Sequence, residues 1–128
     1  MIGQLAAIAA GASLGAWLRW GLSHWLNPKL ADFPLGTLSA NLVGGYLVGI
    51  AVAFFSTNSM IAPEWRLFAI TGFLGGLTTF STFSAEVVLL LQEDRWPMAF
   101  ALALVHLIGS LSLTALGFAT YRVLATAA

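Results

Sequence analysis

Hydrophobic positions in this chain run almost unbroken for the length of a bilayer crossing, four times in succession. A spanning helix needs about 20 mostly apolar residues, and the runs cover residues 2–25, 35–55, 65–91 and 98–124. Polar and helix-breaking residues gather in the short connectors between them. Asn27, Pro28 and Lys29 lead on to Asp32, Phe33 and Pro34; the second connector runs from Ser56 to Glu64 with Pro63; the third runs from Gln92 to Pro97. Trp25, Trp65 and Trp96 fall at these junctions, where indole rings anchor a helix to the membrane interface. The pattern predicts an all-α integral membrane protein, a single domain of four transmembrane helices over residues 1–128. The N-terminus lacks the positive n-region of a signal peptide, and its apolar run is too long for one, so it reads as the first crossing.

The third run departs from this simple reading. Its stretch Thr71 to Glu86 is T-G-F-L-G-G-L-T-T-F-S-T-F-S-A-E. Backbone rich in glycine and hydroxyl residues is tolerated at membrane depth only inside protein or along a wet path, because hydrocarbon satisfies no loose polar group. Gly72, Gly75 and Gly76 precede Thr78 and Thr79, and such a cluster loosens the hydrogen-bond ladder. The third helix is therefore expected to be interrupted near its middle, freeing carbonyls of the kind that bind cations in broken membrane helices. Beyond the break, Phe80 and Phe83 share one helical face, while Thr79, Thr82 and Glu86 form a second stripe. Ring edges carry positive potential, so paired phenylalanines beside hydroxyls suit a small anion. Core packing or lipid contact is the plainer use of the same rings.

Other polar residues inside the spans carry two readings each. Asn41 offers a neutral amide donor to an anion, or an interhelical hydrogen bond. Arg19 either snorkels to the headgroups or faces a water-filled mouth. Glu86 is an intramembrane acid, a candidate proton or ion group, unless it reaches the interface beyond Gln92. His106, Ser110 and Thr114 recur at four-residue spacing on the fourth helix, lining a path or bonding a neighbouring helix. The pairs Gly11/Gly15 and Gly45/Gly49 read as close helix packing.

Composition narrows the classes. With 59% hydrophobic and only 8% charged residues, the chain sits far from soluble domains, which carry about 25% charge. Five basic residues balance five acidic ones, leaving no basic patch for nucleic acid. The absence of cysteine excludes thiolate metal sites and disulfides, and His106 has no companion at metal-ligand spacing. No nucleophile, base and orienting group can be assembled from these spans, which argues against an enzyme. Four crossings put Arg66 and Arg122 on one side and Lys29 and Arg95 on the other, with Arg19 leaning toward the latter. The positive-inside bias is close to nothing, so insertion in both orientations and an antiparallel homodimer of dual topology are expected. Four short helices also make a small bundle to enclose a pore alone.

The run Thr71-Gly72-Phe73-Leu74-Gly75-Gly76-Leu77-Thr78-Thr79-Phe80-Ser81-Thr82-Phe83-Ser84, with Gly36, Thr37 and Asn41 before it and Gly15, Ala16 and Arg19 earlier still, closely resembles the Fluc (CrcB-like) fluoride channels. The likeness covers essentially the whole chain. It implies a dual-topology antiparallel dimer in the bacterial inner membrane, with two pathways for passive fluoride export that relieves fluoride toxicity. By the same resemblance, Gly75 and Thr78 supply backbone carbonyls to a central, non-permeating structural Na⁺. Phe80 and Phe83 form an aromatic box with Asn41 nearby, and Ser81, Thr82, Ser84 and Ser110 offer hydroxyls. Arg19 sits near the vestibule. Thr79, Glu86, His106 and Thr114 are further pathway candidates; His106 stands where a member of the family carries Ser, leaving an imidazole N–H as the donor on offer. The runner-up is a small proton-coupled multidrug exporter of dual topology. Such exporters depend on a membrane-embedded Glu in the first helix, and this first helix has no acid. A non-transporting accessory protein would explain the glycine pairs but not the interrupted third helix.

Overall fold

The computed structural model describes residues 1–29 and 33–127. Helix α1 (Ile2–Leu26) passes into one 3₁₀ turn, Asn27–Lys29, and α2 (Leu35–Thr57) follows. The third crossing, Pro63–Gln92, is two helices: α3, residues 63–77, and α4 (Phe80–Gln92). Helix α5 (Trp96–Ala127) completes the chain. Each of the four crossings is long and apolar enough to traverse a membrane, so the multi-pass architecture agrees with the hydrophobic pattern. Observed limits extend the expected runs by a few residues, as helix ends usually do. At 1.5 Å per residue, α5 is roughly 48 Å long and overruns the hydrocarbon layer. Asp32, placed by the sequence reading in the first connector, and Ala128 lie outside the described residues.

Two connectors show how the ends are closed. Asn27 Oδ1 accepts from the Gly36 N–H at 2.7 Å, tying the first connector to the start of α2. Between α4 and α5 the chain turns at Asp94, whose φ is 58°. The Arg95 N–H bonds the Leu90 carbonyl at 2.9 Å and the Asp94 N–H bonds Leu91 at 3.2 Å, the paired pattern that closes a helix C-terminus through a left-handed residue. Trp25, Trp65 and Trp96 are all exposed at helix ends.

Glycine sets the helix pairs. Helix α1 packs mainly on α3, and α2 on α5, while α4 lies against α5. A Cβ added to Gly11 would stand 2.7 Å from Phe73 N, and one on Gly15 2.7 Å from Leu77 N. From the other side, Gly72 would meet Ile8 O at 2.8 Å, and Gly76 would strike the Ala12 carbonyl. The α2–α5 pair repeats the device, with Gly49 3.0 Å from Phe118 N and Gly117 3.1 Å from Ile50 N. Backbones this close gain dispersion contacts where lipid supplies no hydrophobic drive. Two small cores fill the remaining space: Ala40, Leu74 and Leu77 between α2 and α3, and Leu90, Ala99 and Leu102 between α4 and α5.

The third crossing is interrupted near its middle, as expected, between the glycine cluster and Phe80, but the glycines are not the residues that leave the helix. No glycine among the described residues has a positive φ, and Gly72, Gly75 and Gly76 are all helical. Instead, Leu67–Leu74 is wound as a π-helix and the break falls at Thr78 and Thr79, both extended, with ψ of 152° and 116°. Gly72 and Gly76 serve the close approach of α1, a use that helical backbone satisfies. The π turns lead directly into the break; π segments inside helices are frequent at functional sites.

Candidate functional site

The break is built by three neighbours. Thr79 N–H, which a continuous helix would give to Gly75 O, goes to Asn41 Oδ1 at 2.7 Å, and Asn41 Nδ2 donates back to Thr79 O at 2.9 Å. Helix α2 thus holds both polar groups of one extended residue with one side chain. Thr79 Oγ1 accepts from Thr82 N at 3.1 Å and caps the N-terminus of α4, as a threonine at that position typically does. Arg19 Nε, from α1, donates to Gly76 O at 3.0 Å. Thr78 turns its hydroxyl to Leu74 O at 2.8 Å and its methyl against Gly44.

These bonds decide which carbonyls are released. Gly75 O loses Thr79 N–H to Asn41, and Thr78 O loses Thr82 N–H to the Thr79 cap. Gly75 is itself exposed. Released, accessible carbonyls are hard oxygen ligands of the kind alkali cations take. Among the described residues no group of three His, Cys, Asp or Glu side chains gathers that would hold a metal by side chains instead.

Beside the break lies a cavity of about 290 Å³. Asn41, Gly45, Thr78, Thr79, Phe80, Phe83, His106, Leu107, Ser110 and Leu111 line it. Phe80 and Phe83 meet edge to face with centroids 5.4 Å apart, and Phe83 stacks on the His106 ring at 4.5 Å. Phe80 is 78% exposed at the open edge. No lining residue carries a fixed charge, and the wall combines amide and hydroxyl groups with ring edges, a surface on which a small anion finds donors.

The structure brings Asn41, Thr78, Thr79, Phe80, Phe83, His106 and Ser110 together around this cavity. Thr82 and Ser81 stand just behind, 3.0 and 3.2 Å from Thr79 Oγ1. Other candidates are placed apart. Ser84 turns back to Phe80 O at 2.8 Å, and Thr114 bonds Gly45 O at 2.9 Å. Glu86 lies farther along α4, where its Oε1 accepts from Thr37 Oγ1 at 2.6 Å and its Oε2 is buried without a partner among the described residues. Arg19 approaches the break from the α1 side. Thr37 and Gly45, absent from the expected site, flank Asn41 at four-residue spacing on one face of α2. That spacing was the signal available in the sequence.

The arrangement has counterparts. The family model described as CrcB-like protein, Camphor Resistance (CrcB) matches residues 6–118. A protein of Nitrosospira multiformis called "Fluoride-specific ion channel FluC" is 59% identical over 121 residues, 94% of each chain. Proteins of the same name from Pseudomonas putida and Cupriavidus taiwanensis are 57% identical over 121 residues and 60% identical over 119; they cover 94% and 93% of this chain, and 95% and 94% of their own lengths. Both the matched span, which takes in every residue of the break and the cavity, and the near full-length identity lead to one conclusion: this chain belongs to the CrcB-like family.

Proposed function

We propose that this protein is a fluoride-selective channel that lets fluoride leave the cell passively across the inner membrane and so relieves its toxicity. The observation that carries the reading is the neutral, donor-bearing and aromatic wall around the broken span. Fluoride holds its hydration water strongly, and a selective path replaces those waters with several fixed donors at once. The hydroxyls of Thr82, Ser81 and Ser110 and the edges of Phe80 and Phe83 are the groups this chain supplies. The relatives' shared name agrees with that chemistry.

The working form in this reading is an antiparallel homodimer with two pores. Balanced charge at the two ends supports it, as does Phe80, whose open side is left for a second subunit to close. The released carbonyls of Gly75 and Thr78 fit a structural Na⁺ at the centre of that dimer. Its charge would offset part of the cost of bringing an anion into low dielectric. Arg19, bonded to Gly76 O, adds positive charge next to the break. The multidrug-exporter alternative is not favoured. Helix α1 carries no acid, and Glu86, the acid away from the span ends, is bonded to Thr37 rather than set in the cavity.

Purified protein in potassium fluoride-loaded liposomes tests this directly. Fluoride should leave only when valinomycin carries potassium out as well, as passive, charge-moving flux requires, and chloride should stay. Efflux of both anions alike, or fluoride loss that ignores valinomycin, contradicts the proposal.

A further inference from the structure

His106 is 3% exposed, and its environment determines more than its position. The Asn41 amide is oriented without ambiguity, because Thr79 presents one donor and one acceptor to it and exchanging Oδ1 with Nδ2 would set donor on donor and acceptor on acceptor. Asn41 Nδ2 also stands 3.2 Å from His106 Nδ1. An amide nitrogen only donates, so Nδ1 must offer a lone pair, and the proton of the neutral ring must sit on Nε2. With Thr79 O and His106 Nδ1 as partners, both amide protons of Asn41 are taken. The other ring nitrogen has no polar partner: Nε2 is buried without one among the described residues, while Phe83 stacks on the ring at an interplanar angle of 26°.

We propose that His106 is a positioning residue for the anion path, a reading that rests on the channel function above. Its Nδ1 lone pair holds the Asn41 amide against the Thr79 peptide, and its ring plane seats Phe83, so one side chain of α5 fixes both the break and the aromatic wall. If Nδ1 gives no acceptor, one Asn41 proton is left unpaired in a buried site. The amide can then recover a partner only by turning away from Thr79, and the extended Thr78–Thr79 segment loses its bracket. A histidine merely filling space between helices would need neither a fixed tautomer nor an acceptor at Nδ1.

Two measurements separate these cases. Full-length protein labelled with ¹⁵N-histidine in lipid bilayers, with His24→Gln removing the signals of the second histidine, should show His106 with a bare Nδ1 and a protonated Nε2 at neutral pH. Adding Asn41→Ala should mix the two tautomers. A protonated Nδ1, or a tautomer unmoved by Asn41→Ala, overturns the proposal whatever the protein transports. In liposome efflux, His106→Asn, which keeps an acceptor oxygen near the place of Nδ1, should conduct fluoride at least about tenfold faster than His106→Leu. Equal rates in two variants that elute as the wild type does overturn it as well; if His106→Leu does not fold, the tautomer decides. A wild-type protein that passes no fluoride rejects the channel reading instead, and the resonance arm still judges the bracket.

Discussion

The two halves of the third crossing, α3 and α4, are held in place by different means. Helix α3 is seated by backbone against backbone: Gly72 and Gly76 lie on α1, and Gly11 and Gly15 return the contact. Helix α4 is seated by side chains, with Asn41 and Thr37 of α2 bonding Thr79 and Glu86, and Phe83 stacked on His106 of α5. The first kind of contact fixes where the chain lies but offers little chemistry of its own beyond carbonyls. The second leaves a face of donors and rings whose identity can vary. A span divided this way gives the break a rigid side and a chemically adjustable side, and the cavity opens on the adjustable one.

Two adjacent glycines of α3 differ most sharply in what surrounds them. Gly76→Ala drives a methyl into the Ala12 carbonyl, whereas a methyl on Gly75 meets nothing closer than Ile70 O at 3.7 Å. Gly76→Ala should cost about 3 kcal/mol, the upper end for overpacking, and should deplete the folded peak on gel filtration. Gly75→Ala should retain the folded subunit, because no clash within the chain opposes it. Equal behaviour would mean that α3 is not seated by backbone contact.

On the α4 side, truncation should spare the fold and strike transport. Phe83→Ala and Phe80→Ala should each slow fluoride efflux by roughly tenfold or more, about 1.4 kcal/mol of barrier, with elution unchanged. Unaltered flux in both would return the rings to plain packing. Thr79→Ala is the mildest change. Loss of its cap on Thr82 N should lower stability by about 1 kcal/mol in thermal melts, and a larger loss would show that the hydroxyl bears more than the cap.

Much of this was legible in the sequence, and the failures have a physical reason. Hydropathy alone located the four crossings, because a helix satisfies its backbone within one continuous apolar segment in lipid. The shared face of Phe80 and Phe83 followed from their spacing, and the 5.4 Å ring contact agrees. A break near the middle of the third crossing followed too, but the part the glycines play in it did not. Glycine signals both loosened helix and close packing, and only the position of α1 reveals that Gly72 and Gly76 serve packing, leaving the extended residues to be Thr78 and Thr79. Asn41 was visible as a polar residue in need of partners, but its engagement with Thr79 and His106 joins three helices, and no local pattern encodes it. The bond between Thr37 and Glu86 is hidden for the same reason: the residues stand 49 apart in the chain.

Asn41 is the bracket between the two halves, and fluoride efflux from liposomes carrying Asn41→Ala measures that role most directly. The substitution removes the side chain that holds Thr79 while leaving every glycine contact of α3 in place. Fluoride efflux is predicted to fall at least about tenfold in protein that still elutes as the wild type does. Wild-type efflux from that variant would contradict the claim that the bracketed break builds the path.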